Sequence, residues 1–420
     1  MPDNMKVLVE AYGCTLNRGE AEEFSESLLG KGHELAATQE EAEAFAVFTC
    51  GVIETTERHM LRRIKELARF PGKPLIVAGC LPNICPEKVL KSAPHASLVG
   101  PAKHMSATGI FAGGTVRTVN PRRSTIAMLP IATGCNGDCA YCITRKARGP
   151  IRSRSQASLE SRLRESLGRG AVEIQLCAQD TAAYGSETGN DLGSLVETLG
   201  NLEGDFMMRI GMMNPASAIK DTDSVLRAYE NPKVFKFLHL PVQSGSQAML
   251  DAMNRRHTVM DFLRIVRAFR ERFPGMALST DVIVGFPGER EDDFMRTINL
   301  MEDVRPDIIN VTRFSSRPGT PAHQMGGRVP SRVAKDRSRL LTQLRFSLTA
   351  RNYEVMLGNE VRALATERRK PGTTFLRTAE YKPVVVKGEL DLGRWYDLTI
   401  EGAARTHLFA RLQEACECQG

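Results

Sequence analysis

Apolar runs of five to eight residues alternate with longer amphipathic stretches over the first quarter of the chain. The runs "MKVLVEAY", "AFAVFT" and "KPLIVAG" predict strands, and the amphipathic stretches at about 20–29 and 54–68 predict helices. Strands and helices in alternation indicate a parallel sheet with helices packed on it. The runs are almost entirely apolar, which is typical of parallel strands that are buried on both faces.

The alternation resumes at Thr125, after the stretch "FAGGTVRTVNPRRS", which is rich in turn-forming residues and is predicted to be a linker. Helical stretches are predicted at about 157–168, 191–202, 246–253, 259–272 and 290–303. Six repeats of strand and helix indicate a partial (β/α)6 barrel, in which chemistry is expected at the C-terminal ends of the strands. The six predicted strands lie in "IAMLPIAT", "VEIQLCAQD", "FMMRIGMM", "VFKFLHLPV", "MALSTDVIVGF" and "DIINVTRF".

A long basic helix is predicted at about 331–356, and the pattern changes after Gly358. Short β-like runs then follow without helices between them, which predicts a small five-stranded barrel. The runs are "EVRALATE", "TTFLRTAEY", "KPVVVKG", "RWYDLTIEG" and "HLFARLQE". The expected fold class is therefore α/β, with an open parallel α/β domain at 1–115, the partial barrel at 125–355 and a small all-β barrel at 356–415.

Composition narrows the class of protein. The chain has 420 residues, of which 42% are hydrophobic and 25% are charged, as in an ordinary soluble globular protein. Its formal net charge of +7 permits a polyanionic partner such as RNA but does not demonstrate one. The sequence shows neither a membrane span nor a secretory signal, so a cytoplasmic protein is expected. In that compartment ten cysteines favour metal or redox chemistry over disulfides.

Three cysteines share one structural position. Cys14, Cys50 and Cys80 each follow a predicted strand by one or two residues. The carboxyl ends of the strands in an open α/β sheet form one edge, and ligands bind there. The three thiols are therefore expected to converge, although each could instead be a small apolar residue buried at a strand end.

Three more cysteines are close together in the sequence. The stretch "TGCNGDCAYCITRKARG" places Cys135, Cys139 and Cys142 within eight positions, just after the first strand of the predicted barrel. Close thiolates bind zinc or iron–sulfur clusters. A structural zinc ion takes four ligands, and no cysteine or histidine follows before Cys177. A [4Fe–4S] cluster held by three thiolates would leave one iron open to a substrate or cofactor.

The spacing Cys-x3-Cys-x2-Cys, with Tyr141 before the last cysteine, resembles the radical S-adenosylmethionine (SAM) enzymes. The further segments are arranged as in the methylthiotransferases over nearly the whole chain: "YGCTLNRGEAE", "FTCGV", "AGCLP", "LPVQSGS", "DVIVGFPGE", "FSSRPGTPA" and a final barrel similar to the TRAM RNA-binding domain. The resemblance implies two [4Fe–4S] clusters, one on each group of three cysteines. The free iron of the cluster on Cys135, Cys139 and Cys142 would chelate SAM, whose reductive cleavage gives a 5′-deoxyadenosyl radical.

Within that family, "CAYCITRKARG" is most similar to the archaeal and eukaryotic branch. The resemblance implies an enzyme that converts N6-threonylcarbamoyladenosine at position 37 of tRNA, beside the anticodon, to its 2-methylthio form, with SAM as methyl donor and radical source. Isopentenyladenosine in tRNA and an aspartate of a ribosomal protein are the alternative acceptors. A monomer is expected, with a sulfur source and a low-potential electron donor such as ferredoxin or flavodoxin as partners.

Contacts to SAM are expected from polar residues and glycines at the predicted mouth of the barrel. The glycines would let the backbone approach the adenine ring. Each polar residue could instead cap a helix or form a structural pair. The candidates are Tyr141 in the cysteine loop, Gln179, Asp180, Arg209, Gln243 and Asp281 on or just after the strands, and Gly285 and Gly288 in "DVIVGFPGE".

Basic residues follow the cysteine loop and recur on the predicted β-barrel, where Phe375 and Tyr381 lie among them. Cations suit phosphates and aromatic rings suit stacked bases, so contact with RNA is expected. The candidates are Arg145, Lys146, Arg148, Arg152 and Arg154 after the loop, and Arg377 and Lys382 on the barrel. An RNA-binding module with a structural metal would share these features, but the missing fourth ligand argues against it.

The remaining cysteines carry weaker predictions. Cys177 lies in an apolar strand and is expected in the core. Cys85 competes with Cys80 as a ligand, but Cys80 is the one at a strand end. Cys416 and Cys418, near the C-terminus, receive no role.

Overall fold

The parallel sheet predicted at the N-terminus is present. The computed structural model describes residues 4–101, 103, 107 and 124–413. Five parallel strands lie in the order β2-β1-β3-β4-β5. They are β1 (Lys6–Ala11), β2 (Glu34–Leu35), β3 (Ala44–Thr49), β4 (Leu75–Gly79) and β5 (Ser97–Val99). The helices of this part are Thr15–Gly30, Glu54–Leu67, Leu81–Ile84 and Pro86–Ser92.

Burial on both faces explains the continuous apolar runs. All six residues of β3 are buried, and separate apolar clusters cover the two faces of the sheet. Phe24 of the first helix packs against Phe48 on one face. Met60 and Ile64 of the second helix are buried on the other. The sequence pattern missed β2 and β5 because strands of two or three residues are too short to show a period.

The central part is a partial barrel, as predicted. It consists of two three-stranded parallel sheets, β10-β9-β6 and β11-β12-β13. A parallel bridge between Met208 and Val234 joins the two sheets. The strands are β6 (Ile126–Pro130), β9 (Glu173–Cys177), β10 (Met207–Ile210), β11 (Phe237–His239), β12 (Ala277–Val284) and β13 (Ile308–Arg313).

Helices pack on the barrel strands around one large apolar core. The short strands β7 (Ala132–Thr133) and β8 (Arg152–Ser153) form an antiparallel pair. The loop between them carries Cys135, Cys139 and Cys142, which we call the compact cysteine motif. The α-helices are Thr144–Arg148, Gln156–Gly168, Leu192–Gly200, Pro215–Ala218, Thr222–Glu230, Gln247–Ala252, Val259–Arg272, Glu291–Val304, Pro321–Gln324 and Ser331–Glu354. Two 3₁₀ turns, Thr181–Ala183 and Ile219–Asp221, complete this part.

The C-terminal strands form a closed five-stranded barrel in the order β14-β15-β16-β18-β17. They are β14 (Glu360–Lys370), β15 (Thr373–Thr378), β16 (Pro383–Lys387), β17 (Trp395–Ala403) and β18 (Leu408–Leu412). Closure leaves no free strand edge. Tyr353, near the end of the preceding long helix, is buried in the apolar core of this barrel.

We propose the same three-part division that the sequence indicates, 1–115, 125–355 and 356–415, because each sheet has its own apolar core. The predicted linker at 111–124 lies outside the described residues, apart from Ser124. None of the helices in the described part of the chain combines the length and the apolar character that a bilayer span requires.

Candidate metal centre

The N-terminal sheet brings its three strand-end cysteines together. Cys50 and Cys80 directly follow the neighbouring strands β3 and β4, and Cys14 begins the helix that follows β1. Gly13 has a left-handed φ of +98°, and a Cβ at this position would lie 2.5 Å from the Cβ of Cys50. Glycine is therefore what allows the Cys14 loop to approach Cys50.

The compact cysteine motif lies in the loop between β7 and β8. Backbone amides donate to two of its sulfurs, from Gly137 to Cys135 Sγ at 3.2 Å and from Thr144 to Cys142 Sγ at 3.4 Å. These contacts orient both sulfurs. The third sulfur, that of Cys139, accepts from a side chain instead, as described below.

All six cysteines line one cavity of about 290 Å³, which we call the cysteine cavity. Its other walls come from the loops after β9, β10 and β11, at the C-terminal ends of the barrel strands. They include Gln179, Met212, Met213, Asn214, Pro241 and Gln243. The two groups of thiols therefore face the same space, although 55 residues separate Cys80 from Cys135.

An arginine accompanies each group of cysteines. Arg148 is buried and donates to both carboxylate oxygens of Glu20, at 2.6 and 2.9 Å, while its positive charge opposes the rise in the pKa of Cys80. Arg255 donates from Nη1 to Cys139 Sγ at 3.4 Å. A nearby cation favours the thiolate, which is the form that binds metals.

Burial acts in the opposite direction. It raises the pKa of Cys80 to about 11 and that of Cys135 to about 11, so both thiols are protonated at neutral pH unless a cation binds them. Metal binding to this site would therefore release protons. The described cysteines are all free thiols.

The donor set fits iron–sulfur clusters better than a single ion. Within the described residues, no three His, Cys, Asp or Glu side chains are grouped closely enough to hold one metal ion. Structural zinc needs four ligands at about 2.0–2.3 Å from one point, whereas each thiolate of a cluster binds a different iron. If clusters bind, the three cysteines on each side of the cavity would be their protein ligands.

Three of the predicted SAM contacts lie on the cysteine cavity: Tyr141, Gln179 and Gln243. The side-chain oxygen of Gln179 accepts from the amide of Gly134 at 2.8 Å. Gln243 has a left-handed φ of +74°, a backbone strain that is common at functional sites.

Five other predicted contacts do not line the cysteine cavity, and their contact with SAM stays a prediction. Asp180 is buried, and it accepts from the amide of Asn214 and the hydroxyl of Ser217, so it anchors a loop. Asp281 is held by His239 and Asn310. The remaining three, which do not line the cysteine cavity, are Arg209, Gly285 and Gly288.

The two glycines and Arg209 have other surroundings. A Cβ at Gly285 would lie 2.7 Å from the Cβ of Ala334, so glycine is needed there for the long helix to pack closely. Gly288 donates its amide to the carbonyl of Gly327. Arg209 lines a separate cavity in the barrel interior.

The predicted RNA contacts divide in the same way. Arg145 is exposed and lines the cysteine cavity, and Lys146 and Arg152 are exposed. Arg148 is buried against Glu20, and Arg154 is bonded to Glu23 at 2.8 Å, so both side chains already have partners within the protein. Both arginines join the barrel to the first helix of the N-terminal sheet.

On the β-barrel, Lys382 is mostly buried and pairs with Asp307 at 3.6 Å. Arg377 faces the cavity in the barrel interior. Neither side chain is arranged as a solvent-exposed phosphate contact.

Two of the remaining cysteines, Cys85 and Cys177, do not line the cysteine cavity. Cys177 is buried in β9, and its thiol donates to the carbonyl of Gln175 at 3.0 Å, as expected for a core residue. Cys85 is absent from the residues that line the cavity. Cys416 and Cys418 lie outside the described residues.

Sequence reasoning missed Arg255 and the role of Arg148 as an internal partner. Arg255 stands in "NRRHT", three residues after the helix Gln247–Ala252. Nothing in that stretch distinguishes it from the other basic residues, because the cysteine that it contacts is 116 positions away.

Two family models match the sequence. The model described as "Radical SAM superfamily" matches residues 129–301, and the model described as "Uncharacterized protein family UPF0004" matches residues 6–100. The first range contains the compact cysteine motif, and the second contains the three strand-end cysteines.

Curated relatives match almost the whole chain. Proteins of Archaeoglobus fulgidus and Pyrococcus horikoshii are 36% and 37% identical over 97% of this chain and 99% of their own lengths. Both are named "Probable threonylcarbamoyladenosine tRNA methylthiotransferase". A Xenopus laevis protein, named "Threonylcarbamoyladenosine tRNA methylthiotransferase", is 30% identical over 96% of this chain and 76% of its own length.

Solved structures are similar in fold. The radical SAM methyltransferase TsrM from Kitasatospora setae has a TM-score of 0.56 at 11% identity, over 76% of this chain and 75% of TsrM. The cobalamin-dependent radical enzyme OxsB has a TM-score of 0.54 at 11% identity, over 82% of this chain and 58% of OxsB. At this level of identity the likeness shows the fold alone.

Proposed function

The chain belongs to the family of the threonylcarbamoyladenosine tRNA methylthiotransferases, and on this premise we propose that it inserts a methylthio group at C2 of N6-threonylcarbamoyladenosine at position 37 of tRNA. SAM serves as both methyl donor and radical source. A low-potential donor such as ferredoxin or flavodoxin supplies the electron, and a separate source supplies the sulfur. We propose that the chain works as a monomer in the cytoplasm.

One observation carries this proposal: the two groups of three cysteines line a single cavity. Methylthiolation needs a radical source and a sulfur centre at one carbon atom. Two three-thiolate sites on a shared cavity provide places for both. A single structural metal would require neither the second group of cysteines nor the shared cavity.

When bound, the clusters and SAM would supply the radical chemistry and the methyl group, and the cluster on Cys14, Cys50 and Cys80 would receive the sulfur from the separate source. The residues of the chain would hold and surround them. Cys135, Cys139 and Cys142 would bind one cluster. Met212 and Met213 line the wall with apolar surface, which excludes water from a reactive intermediate. Gln179 and Gln243 offer amide groups to a polar ligand.

Anaerobic reconstitution of the full chain with iron and sulfide tests the proposal. We expect about eight irons per chain, the content of two four-iron clusters. On reduction, the protein should release 5′-deoxyadenosine and convert the nucleoside in tRNA to its 2-methylthio form, as measured by mass spectrometry of the digested RNA. Bound zinc without SAM cleavage would instead support an RNA-binding module with a structural metal.

Cysteine variants separate the two sites. Cys139→Ala should retain about four irons and lose SAM cleavage while still binding tRNA, whereas Cys50→Ala should cleave SAM but fail to insert sulfur. Cys85→Ala and Cys177→Ala are matched controls, because neither thiol lines the cavity. Sulfur insertion by Cys50→Ala, or its loss in Cys85→Ala, would contradict the assignment of the N-terminal ligands.

A further inference from the structure

A second cavity, of about 480 Å³, lies inside the partial barrel and is closed on one side by the C-terminal β-barrel. We call it the arginine cavity. Strand residues of the partial barrel form one wall, and residues of β15 and the turn after it form a second. The long helix Ser331–Glu354 and the turn between β17 and β18 contribute further lining residues. The two walls include Gln175, Arg209, His239 and Asn310 on the first and Phe375, Arg377 and Tyr381 on the second.

Cations dominate the arginine cavity, which is lined by five arginines and one aspartate. The aspartate, Asp307, is already engaged by Lys382 and by the amide of Leu278. Arg369 is paired with Glu367. In the part of the chain that the structure describes, no carboxylate lies within ion-pair distance of the other four: Arg209, Arg345, Arg377 and Arg405.

Two of these arginines stack on the same aromatic ring. The guanidinium carbons of Arg377 and Arg209 lie 4.2 and 5.5 Å from the ring centre of Tyr381. Tyr381 is fixed by its left-handed backbone, with φ +64°, and by donation from its hydroxyl to the buried Glu173. The Nε atoms of both arginines are buried without a hydrogen-bond partner. Planar guanidinium groups with free donors are suited to a carboxylate.

The arginine cavity lies below the cysteine cavity along the same strands. Arg209 precedes Met212 of the cysteine cavity by three residues, and Gln175 precedes Ala178 in the same way. Three residues of extended chain span at most roughly 10 Å. In N6-threonylcarbamoyladenosine, seven bonds of about 1.3–1.5 Å separate C2 from the carboxyl carbon, which gives a span of roughly 8–9 Å. The distance from C2 to the carboxylate is therefore comparable to the span of chain between residues of the two cavities.

We propose that the arginine cavity binds the carboxylate of the threonylcarbamoyl group and so selects adenosines that carry an anionic N6 substituent. This inference rests on the proposed function. An apolar substituent such as isopentenyl would leave the guanidinium donors unpaired, and sites built to pair a polar group discriminate strongly against analogues that lack it. Arg209 and Arg377 are assigned as specificity-determining residues.

The test uses the reconstituted full chain and three anticodon stem-loop RNAs. They carry N6-threonylcarbamoyladenosine, the same nucleoside with its carboxylate converted to a neutral amide, or isopentenyladenosine. The rate of methylthiolation and its KM are measured for wild type, Arg209→Gln and Arg377→Gln. Arg362→Gln is the matched control, because Arg362 lies on the outside of the β-barrel, where it stacks on Trp395. Circular dichroism and iron content check that each variant is folded and loaded.

We expect wild type to prefer the acid to the amide. Arg209→Gln and Arg377→Gln should each reduce that preference roughly 10- to 100-fold, mainly by raising KM for the acid. A change of this size corresponds to the loss of a hydrogen bond to a charged group. Arg362→Gln should keep the wild-type preference. Equal rates on acid and amide by wild type, or an unchanged preference in both variants, would overturn the specificity proposal alone. If wild type modified none of the three RNAs although it cleaved SAM, both this inference and the proposed function would fail.

Discussion

Replacing Arg148 by glutamine should loosen the contact between the N-terminal sheet and the barrel. Arg148 ends the helix Thr144–Arg148, and it donates to both carboxylate oxygens of Glu20 in the helix Thr15–Gly30. The two side chains are only 1% and 3% exposed. Glutamine is shorter and neutral, so the carboxylate of Glu20 would remain buried without a cation.

The expected cost follows from this burial. Removing one partner of a buried ion pair costs about 3–5 kcal/mol, because the other charge stays desolvated. Arg164 and Glu160 form the matched control, since these side chains are 60% and 34% exposed. An exposed pair of this kind contributes about 0.3–0.5 kcal/mol. The free-energy cost of Arg148→Gln should therefore be about ten times that of Arg164→Gln.

Hydrogen–deuterium exchange of the full chain measures the effect locally. Peptides from the helix Thr15–Gly30 should lose protection by roughly 10²- to 10³-fold in Arg148→Gln, the equivalent of about 3–4 kcal/mol of opening free energy. Arg164→Gln should leave them unchanged. The double variant Arg148→Gln/Glu20→Gln contains no unpaired buried charge, so its loss should be smaller than the sum of the single losses. Additive losses, or an Arg148→Gln variant as protected as wild type, would refute the reasoning.

Two other predictions concern backbone strain and pH. Gly285→Ala should destabilise the chain by about 1–3 kcal/mol more than Gly288→Ala in thermal unfolding. Both glycines have a left-handed φ, but a Cβ at Gly285 would lie 2.7 Å from the Cβ of Ala334, whereas a Cβ at Gly288 would lie in open space. Ala334→Gly should therefore rescue Gly285→Ala and leave Gly288→Ala unchanged. Burial lowers the pKa of His257 to about 4, from 6.5, so its neutral form stabilises the fold above about pH 6.5 and this contribution is lost as the pH falls toward 4. Urea denaturation measures this effect. Between pH 7 and pH 5.5, the free energy of unfolding should fall by about 1 kcal/mol more in wild type than in His257→Phe. Equal losses would exclude His257 as the titrating group.

Patterns that are local in the sequence predicted the fold well. The six strands of the partial barrel and the five strands of the closed barrel each show an apolar run, so they could be placed without a structure. The convergence of Cys14, Cys50 and Cys80 also followed from local patterns, because parallel strands place their carboxyl ends along one edge. What these patterns do not contain is the partner of a side chain across a domain boundary.

Differences between the expected and observed positions of site residues trace to strand ends. The third strand of the barrel was predicted over "FMMRIGMM", but β10 ends at Ile210, and Met212 and Met213 occupy the mouth. Arg209 therefore lies farther from the mouth of the barrel than expected, in the arginine cavity. A shift of a few residues along a strand moves a side chain by roughly 10 Å, which is enough to transfer it from one ligand to another.

The two arginines beside the cysteines explain why the thiols need the whole molecule. Burial opposes the formation of thiolates, and cations offset that cost. For the N-terminal cysteines the nearby cation is Arg148, which the partial barrel contributes and whose charge acts on Cys80. For the compact motif it is Arg255, which belongs to a later loop of the same barrel and contacts Cys139. Because the barrel supplies the cation on both sides, the N-terminal sheet alone would present its three thiols in a less favourable electrostatic setting, and the two halves of the cysteine cavity form one site.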